Sequence, residues 1–145
     1  MVATGVEQDF PGAVLAVLAD GNQTNEAIIQ SALHTPEQKA VVFLYLGERT
    51  SKRKPELFRL VEPHLHDEQA KKALGRANYL AQEAKIECRF LYRHREPDAI
   101  YRVWQELHPQ DTIIAEEQMP EVQRIHPKRM YKEATPGGQV THLLN

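Results

Sequence analysis

Two stretches of the chain are apolar without a break. Ala13–Ala19 (AVLAVLA) and Ala40–Leu46 (AVVFLYL) offer no polar face, which fits strands covered on both sides of a sheet. The first ends in Asp20-Gly21-Asn22, a turn signal, so a strand is predicted over Gly12–Asp20 and a second over Lys39–Glu48. Between them, TNEAIIQSALH places Ala27, Ile28, Ala32 and Leu33 on one helical face, with Thr24 or Asn22 as cap and Glu26 in the first turn. Apolar residues then recur at three- and four-residue spacing from Glu56 to Lys85, a long helix that Pro63 interrupts early.

IECRFLY alternates instead: Ile86, Cys88, Phe90 and Tyr92 point one way and Glu87 and Arg89 the other, as suits an edge strand. EPDAIYRVWQELHP follows as a helix, with Pro97 at its first position and Ile100, Val103, Trp104 and Leu107 on its apolar face. Thr112–Ala115 (TIIA) is a fourth buried strand. PEVQRIHPKRMYKEA is predicted helical but broken at Pro127, and TPGGQVTHLL is a turn and a short last strand, Val140–Leu144. Alternating strands and helices predict an α/β domain with an open, doubly wound, parallel five-stranded sheet of order 3-2-1-4-5 and helices on both faces. Residues 1–11 form a flexible lead-in to a domain over 12–145. In such a sheet ligands sit beyond the carboxyl ends of strands one and four, so Asp20-Gly21-Asn22 and Glu116-Glu117 are expected to share one crevice.

Composition narrows the function. A chain of 145 residues fits one domain, and 41% hydrophobic with 26% charged residues is ordinary for a globular protein. A net charge of -2 gives no electrostatic reason to expect nucleic acid. The apolar runs are far too short for a membrane span, and the first residues have no basic-plus-apolar signal pattern. A single cysteine, Cys88, excludes an internal disulfide, and a cytoplasmic setting is expected. Cys88 and Trp104 read as core residues.

The strand ending LADGN, the helix TNEAIIQSAL, the entry AKIECRFLY and the helix-to-strand run EPDAIYRVWQELHPQDTIIA resemble, in order and pattern, a universal stress protein domain over residues 12 to 144. That resemblance implies an adenine nucleotide α-hydrolase-like, Rossmann-like fold and a nucleotide crevice at Asp20. ATP-binding members of that family carry G-x-x-G and a later G-S or G-T after strand four, where backbone amides approach phosphate. This chain has Glu116-Glu117-Gln118-Met119 there and no glycine before Gly137, so ATP or AMP is disfavoured and no cofactor is expected.

The crevice candidates are Asp20, Gly21 and Asn22 at the first turn, and Lys128 and Arg129, which could hold an anion where the family's last helix begins. Asp20, Glu116 and Glu117 are weak candidates for a hard cation, against a simple reading as turn and loop carboxylates. HLHD, His64–Asp67, reads as surface histidines, since positions two apart do not share a helical face. RTSKRKP, Arg49–Pro55, reads as a solvated loop without aromatic residues to stack bases. No nucleophile–base–acid motif, Walker loop or C-x-x-C occurs.

The expectation is a binding or regulatory module, not an enzyme, acting by partner contact and as a homodimer through the exposed edge of Val140–Leu144. The alternatives are a nucleotide-binding protein or weak ATPase of the same fold, and a cytoplasmic regulatory domain of a membrane transporter.

Overall fold

The computed structural model describes residues 13–20, 23–34, 40–47, 68–96, 98–122, 129–135 and 138–144. The elements in chain order are β1 (Val14–Ala19), α1 (Asn25–Leu33), β2 (Val41–Gly47), α2 (Glu68–Ala84), β3 (Cys88–His94), α3 (Ala99–Leu107), β4 (Asp111–Ala115), β5 (Arg129–Thr135) and β6 (Gly138–Leu144). A 3-10 turn, Glu116–Gln118, and a single helical turn, Met119–Val122, follow β4.

The fold is α/β, with one mixed six-stranded sheet of order β3-β2-β1-β4-β6-β5. β3, β2, β1 and β4 are mutually parallel, while β6 runs antiparallel to both β4 and β5. Continuous burial of β1 and β2 follows from their unbroken apolar sequence. Alternate residues serve two cores. Leu15 and Val17 of β1 and Leu44 of β2 pack with α3 through Ile100, Val103 and Leu107. Val14, Ala16, Leu18 and Phe43 pack with α1 and α2 on the opposite face.

Among the described residues β3 is an edge strand, paired only with β2, as its alternation predicts. Phe43 stacks on Phe90 and Tyr45 on Tyr92 across the β2–β3 pair, with ring centroids 5.9 and 6.1 Å apart. The described part of the long helix, α2, is buried through Ala70, Ala77 and Ala81, while Leu74 and Leu80 are only partly covered. The side chains it buries fully are all small.

The C-terminal third departs from expectation. Residues 129–134, expected to be helical, form β5 together with Thr135, so Arg129 opens a strand and no helix begins there. The sheet therefore has six strands and is not wholly parallel. The last strand lies between β4 and β5 with both sides paired. A homodimer through a free edge of Val140–Leu144 loses its basis, because β5 already occupies that edge. The outer strand on this side is β5. The lead-in, the Arg49–Pro55 loop, Pro63, His64–Asp67 and Pro97 lie outside the described residues.

Candidate functional site

The expected crevice lies where β1 and β4 part. Their pairing ends at Ala16 and Ile113, three residues before β1 itself ends. Successive residues of a strand aim their backbone groups to opposite sides. The Asp20 amide donates to Leu46 O on the β2 side, at 3.2 Å, so the Ala19 amide and carbonyl face the β4 side. The carboxamide of Asn25, the first residue of α1, takes both. Ala19 N–H donates to Asn25 Oδ1 at 3.2 Å, and Asn25 Nδ2 donates to Ala19 O at 2.9 Å. One side chain thus stands where strand pairing stops.

Among the described crevice candidates, the carboxylates of Asp20 and Glu116 have partners of their own. The Tyr45 hydroxyl donates to Asp20 Oδ1, which ties that carboxylate to β2. Glu116 pairs with Lys132 of β5 at 2.9 Å on the exposed surface, and Glu117 is exposed. No group of three His, Cys, Asp or Glu side chains is placed to hold a metal ion among the described residues. Of the weak cation candidates Asp20, Glu116 and Glu117, each of the first two already has another partner. Gly21, Asn22 and Lys128 lie outside the described residues. Cys88 is half-buried, and burial, then the charge of Glu87, raises its thiol pKa, so it is no thiolate. Trp104 packs partly buried on the α3 side of the core.

A different polar cluster sits on the opposite face of β4 and β6 from α3, under α1. His142 points inward from β6 and is 1% exposed. Its Nδ1 lies 2.8 Å from Oδ2 of Asp111, the buried first residue of β4. Its Nε2 lies 2.8 Å from Glu133 Oε1 on β5 and 3.1 Å from Ser31 Oγ on α1. The Ser31 hydroxyl donates to the same Glu133 oxygen at 2.7 Å. The strand registers explain the meeting. His142 is opposite Ile113 and Tyr131, so Asp111 and Glu133 are its diagonal neighbours on the same face. Tyr131 lies flat against the imidazole, centroids 4.4 Å apart and planes within 6°.

Serine, histidine and aspartate in line suggest a nucleophilic triad, but the protons do not allow one. In a triad the histidine nitrogen facing the serine accepts the serine proton. Here both ring nitrogens face carboxylate oxygens, which favours a hydrogen on each and so the imidazolium. The Ser31 hydrogen is committed to Glu133. Burial favours the neutral ring, but bonds and charge from Asp111, and then from Glu133, outweigh it and raise the His142 pKa. The bond from Ser31 lowers the Glu133 pKa, against burial, and His142 lowers it further. Burial, then the charges of Asp111 and Glu133, raises that of Tyr131, which stays a neutral phenol with its ring face on a cation. The arrangement favours fixed charge over transfer of a proton to a nucleophile.

Glu133 also borders a pocket of about 490 Å³ between α1 and β5, walled by Glu26, Ala27, Gln30, Ser31 and Ala134. Glu26 is held by Arg76 of α2 at 3.1 Å and by Gln30 at 3.0 Å. The Arg76 bond leads in lowering the Glu26 pKa, against burial, with Gln30 assisting.

The sequence reading passed over Ser31, Asp111, Glu133 and His142. A signal existed: Ser31 and His142 are polar residues on otherwise apolar faces, and such residues need a partner. Comparison with protein-family models, with curated proteins and with solved structures finds no match to this chain.

Proposed function

We propose that the chain is a non-catalytic binding or regulatory module of universal-stress type that does not take ATP at its strand switch point. The observation that carries this reading is Asn25. Its carboxamide occupies the backbone groups of Ala19 that a crevice ligand would approach. The parallel β3-β2-β1-β4 order supports the resemblance, and the β5–β6 hairpin is where the chain departs from it. Exposed Glu117 after β4 offers only acceptors to a ligand that needs donors, and Glu116 beside it is paired with Lys132. The module acts through contact with a protein partner in the cytoplasm. Among the described residues no helix is long and apolar enough to cross a membrane.

Calorimetric titration with ATP, with and without magnesium, tests the reading. The expected outcome is no binding tighter than about millimolar, near 4 kcal/mol. A low-micromolar constant without metal would overturn it and favour the nucleotide-binding alternative. The line Ser31–His142–Asp111 favours a second reading, a serine hydrolase. The proton arrangement argues against it, and covalent labelling of Ser31 by a fluorophosphonate would establish it.

A further inference from the structure

The buried cluster holds more acids than bases. Two carboxylates, Asp111 and Glu133, face the one imidazole of His142 that bridges them, and the only other basic group acting on Glu133 among the described residues is His34, on the pocket wall. Both protein donors on Glu133 fall on Oε1, so Oε2 is uncommitted among the described residues. Asp111 Oδ1 is buried and likewise without a partner among them. Glu133 lines the pocket between α1 and β5, and its side chain is 45% exposed. Glu26, the other carboxylate of that wall, is already engaged by Arg76 and Gln30.

We propose that this pocket binds a small organic cation, a primary amine or guanidine on a compact apolar body, with Glu133 Oε2 as its charge partner. At about 490 Å³ the pocket falls within the usual range of small-molecule sites, roughly 300–1,000 Å³. Ala27 and Ala134 give the apolar body a wall of small side chains. A hard metal ion needs about six or more oxygen ligands, whereas an ammonium or guanidinium is recognised by one ionised carboxylate and a fitted cavity. Ser31 and His142 hold Glu133 ionised and fix its orientation before any ligand arrives. A cation on Oε2 balances the second carboxylate without moving a protein group. This site is separate from the β1–β4 crevice, so the outcome of an ATP titration leaves it untouched.

The test is a two-dimensional amide NMR titration of the whole chain at neutral pH with three probes of one shape: phenethylamine, 2-phenylethanol and phenylacetate. Phenethylamine should shift the amides of Ala27, Gln30, Ser31, Ala134 and Thr135, and bind at least about tenfold tighter than the alcohol, while phenylacetate shifts none of them. Glu133→Gln should erase the preference for the amine. Because that change also touches His142, Ala134→Phe supplies an independent arm. It fills the pocket from an exposed position and should abolish the shifts in a chain whose remaining spectrum is unchanged. Equal binding of amine and alcohol, amine shifts confined to other residues, or no shifts at millimolar amine would each overturn the proposal.

Discussion

Replacing Asp111 by Asn should flatten the response of stability to pH around neutrality. The exchange keeps an acceptor 2.8 Å from His142 Nδ1 but removes the charge. At that separation and an effective dielectric of 20, the gross attraction in the pair is about 6 kcal/mol. Desolvating both ions consumes much of it, and deleting one partner of a buried pair costs about 3–5 kcal/mol while the other stays charged. His142 can escape part of this cost by giving up its proton, so Asp111→Asn should cost about 3 kcal/mol at pH 6 and less as the pH rises. The raised pKa of His142 fixes the sign. Its contribution is complete below the unfolded value of about 6.5 and fades as pH climbs through the folded value. Between those two values wild-type stability should fall with rising pH, at up to about 1.4 kcal/mol per unit. The variant should lose that slope, or show the opposite one if its buried ring is held neutral. Urea unfolding at pH 6, 7, 8 and 9 reads both slopes, and their difference cancels the other histidines. Parallel profiles for the two proteins would refute the imidazolium assignment and restore the triad as an open reading.

Two packing features give further tests. Ala81→Leu, at a fully buried contact of α2, should cost about 1–3 kcal/mol or more by overpacking, whereas Leu74→Ala, at a half-buried position, should cost under about 2 kcal/mol; thermal melts that rank them the other way would show that α2 does not rest on its alanines. Gly138 has φ 136°, and a Cβ there would lie 2.6 Å from Thr24 Cγ2, so Gly138→Ala should cost about 1–3 kcal/mol, and adding Thr24→Ser should recover part but not all of it, since the backbone strain persists. Full recovery would assign the whole cost to the clash.

Legibility in the sequence followed the strength of local pattern. Ala13–Ala19 and Ala40–Leu46 could be nothing but doubly covered strands, and Cys88 to Tyr92 announced a half-wet edge. β5 was missed because Arg129–Thr135 mixes residues that suit a helix, Met130, Lys132, Glu133 and Ala134, and its pairing with β6 outweighs that local preference. Once β5 was read as helix, the edge moved to the wrong strand. The buried cluster left no motif because Ser31 and His142 are 111 residues apart and are joined by strand register. What could be read was one-sided: a histidine inside VTHLL and an aspartate heading TIIA, each asking for a partner whose address lies elsewhere in the chain.

The placement of β6 has a consequence for synthesis. A chain made from its N-terminus forms β1, β2 and β3 early, and β4 can join them with one side still open. The strand that closes that side, Gly138–Leu144, leaves the ribosome after every other described strand of the sheet. Until then an apolar strand, Asp111–Ala115, presents an unpaired edge, and Asp111 waits for its imidazolium. The nascent protein therefore passes through a stage in which an incomplete sheet can recruit foreign strands. Expression yield should depend on how quickly translation runs from residue 115 to residue 144, and slow codons in that interval should cost soluble product more than slow codons anywhere earlier.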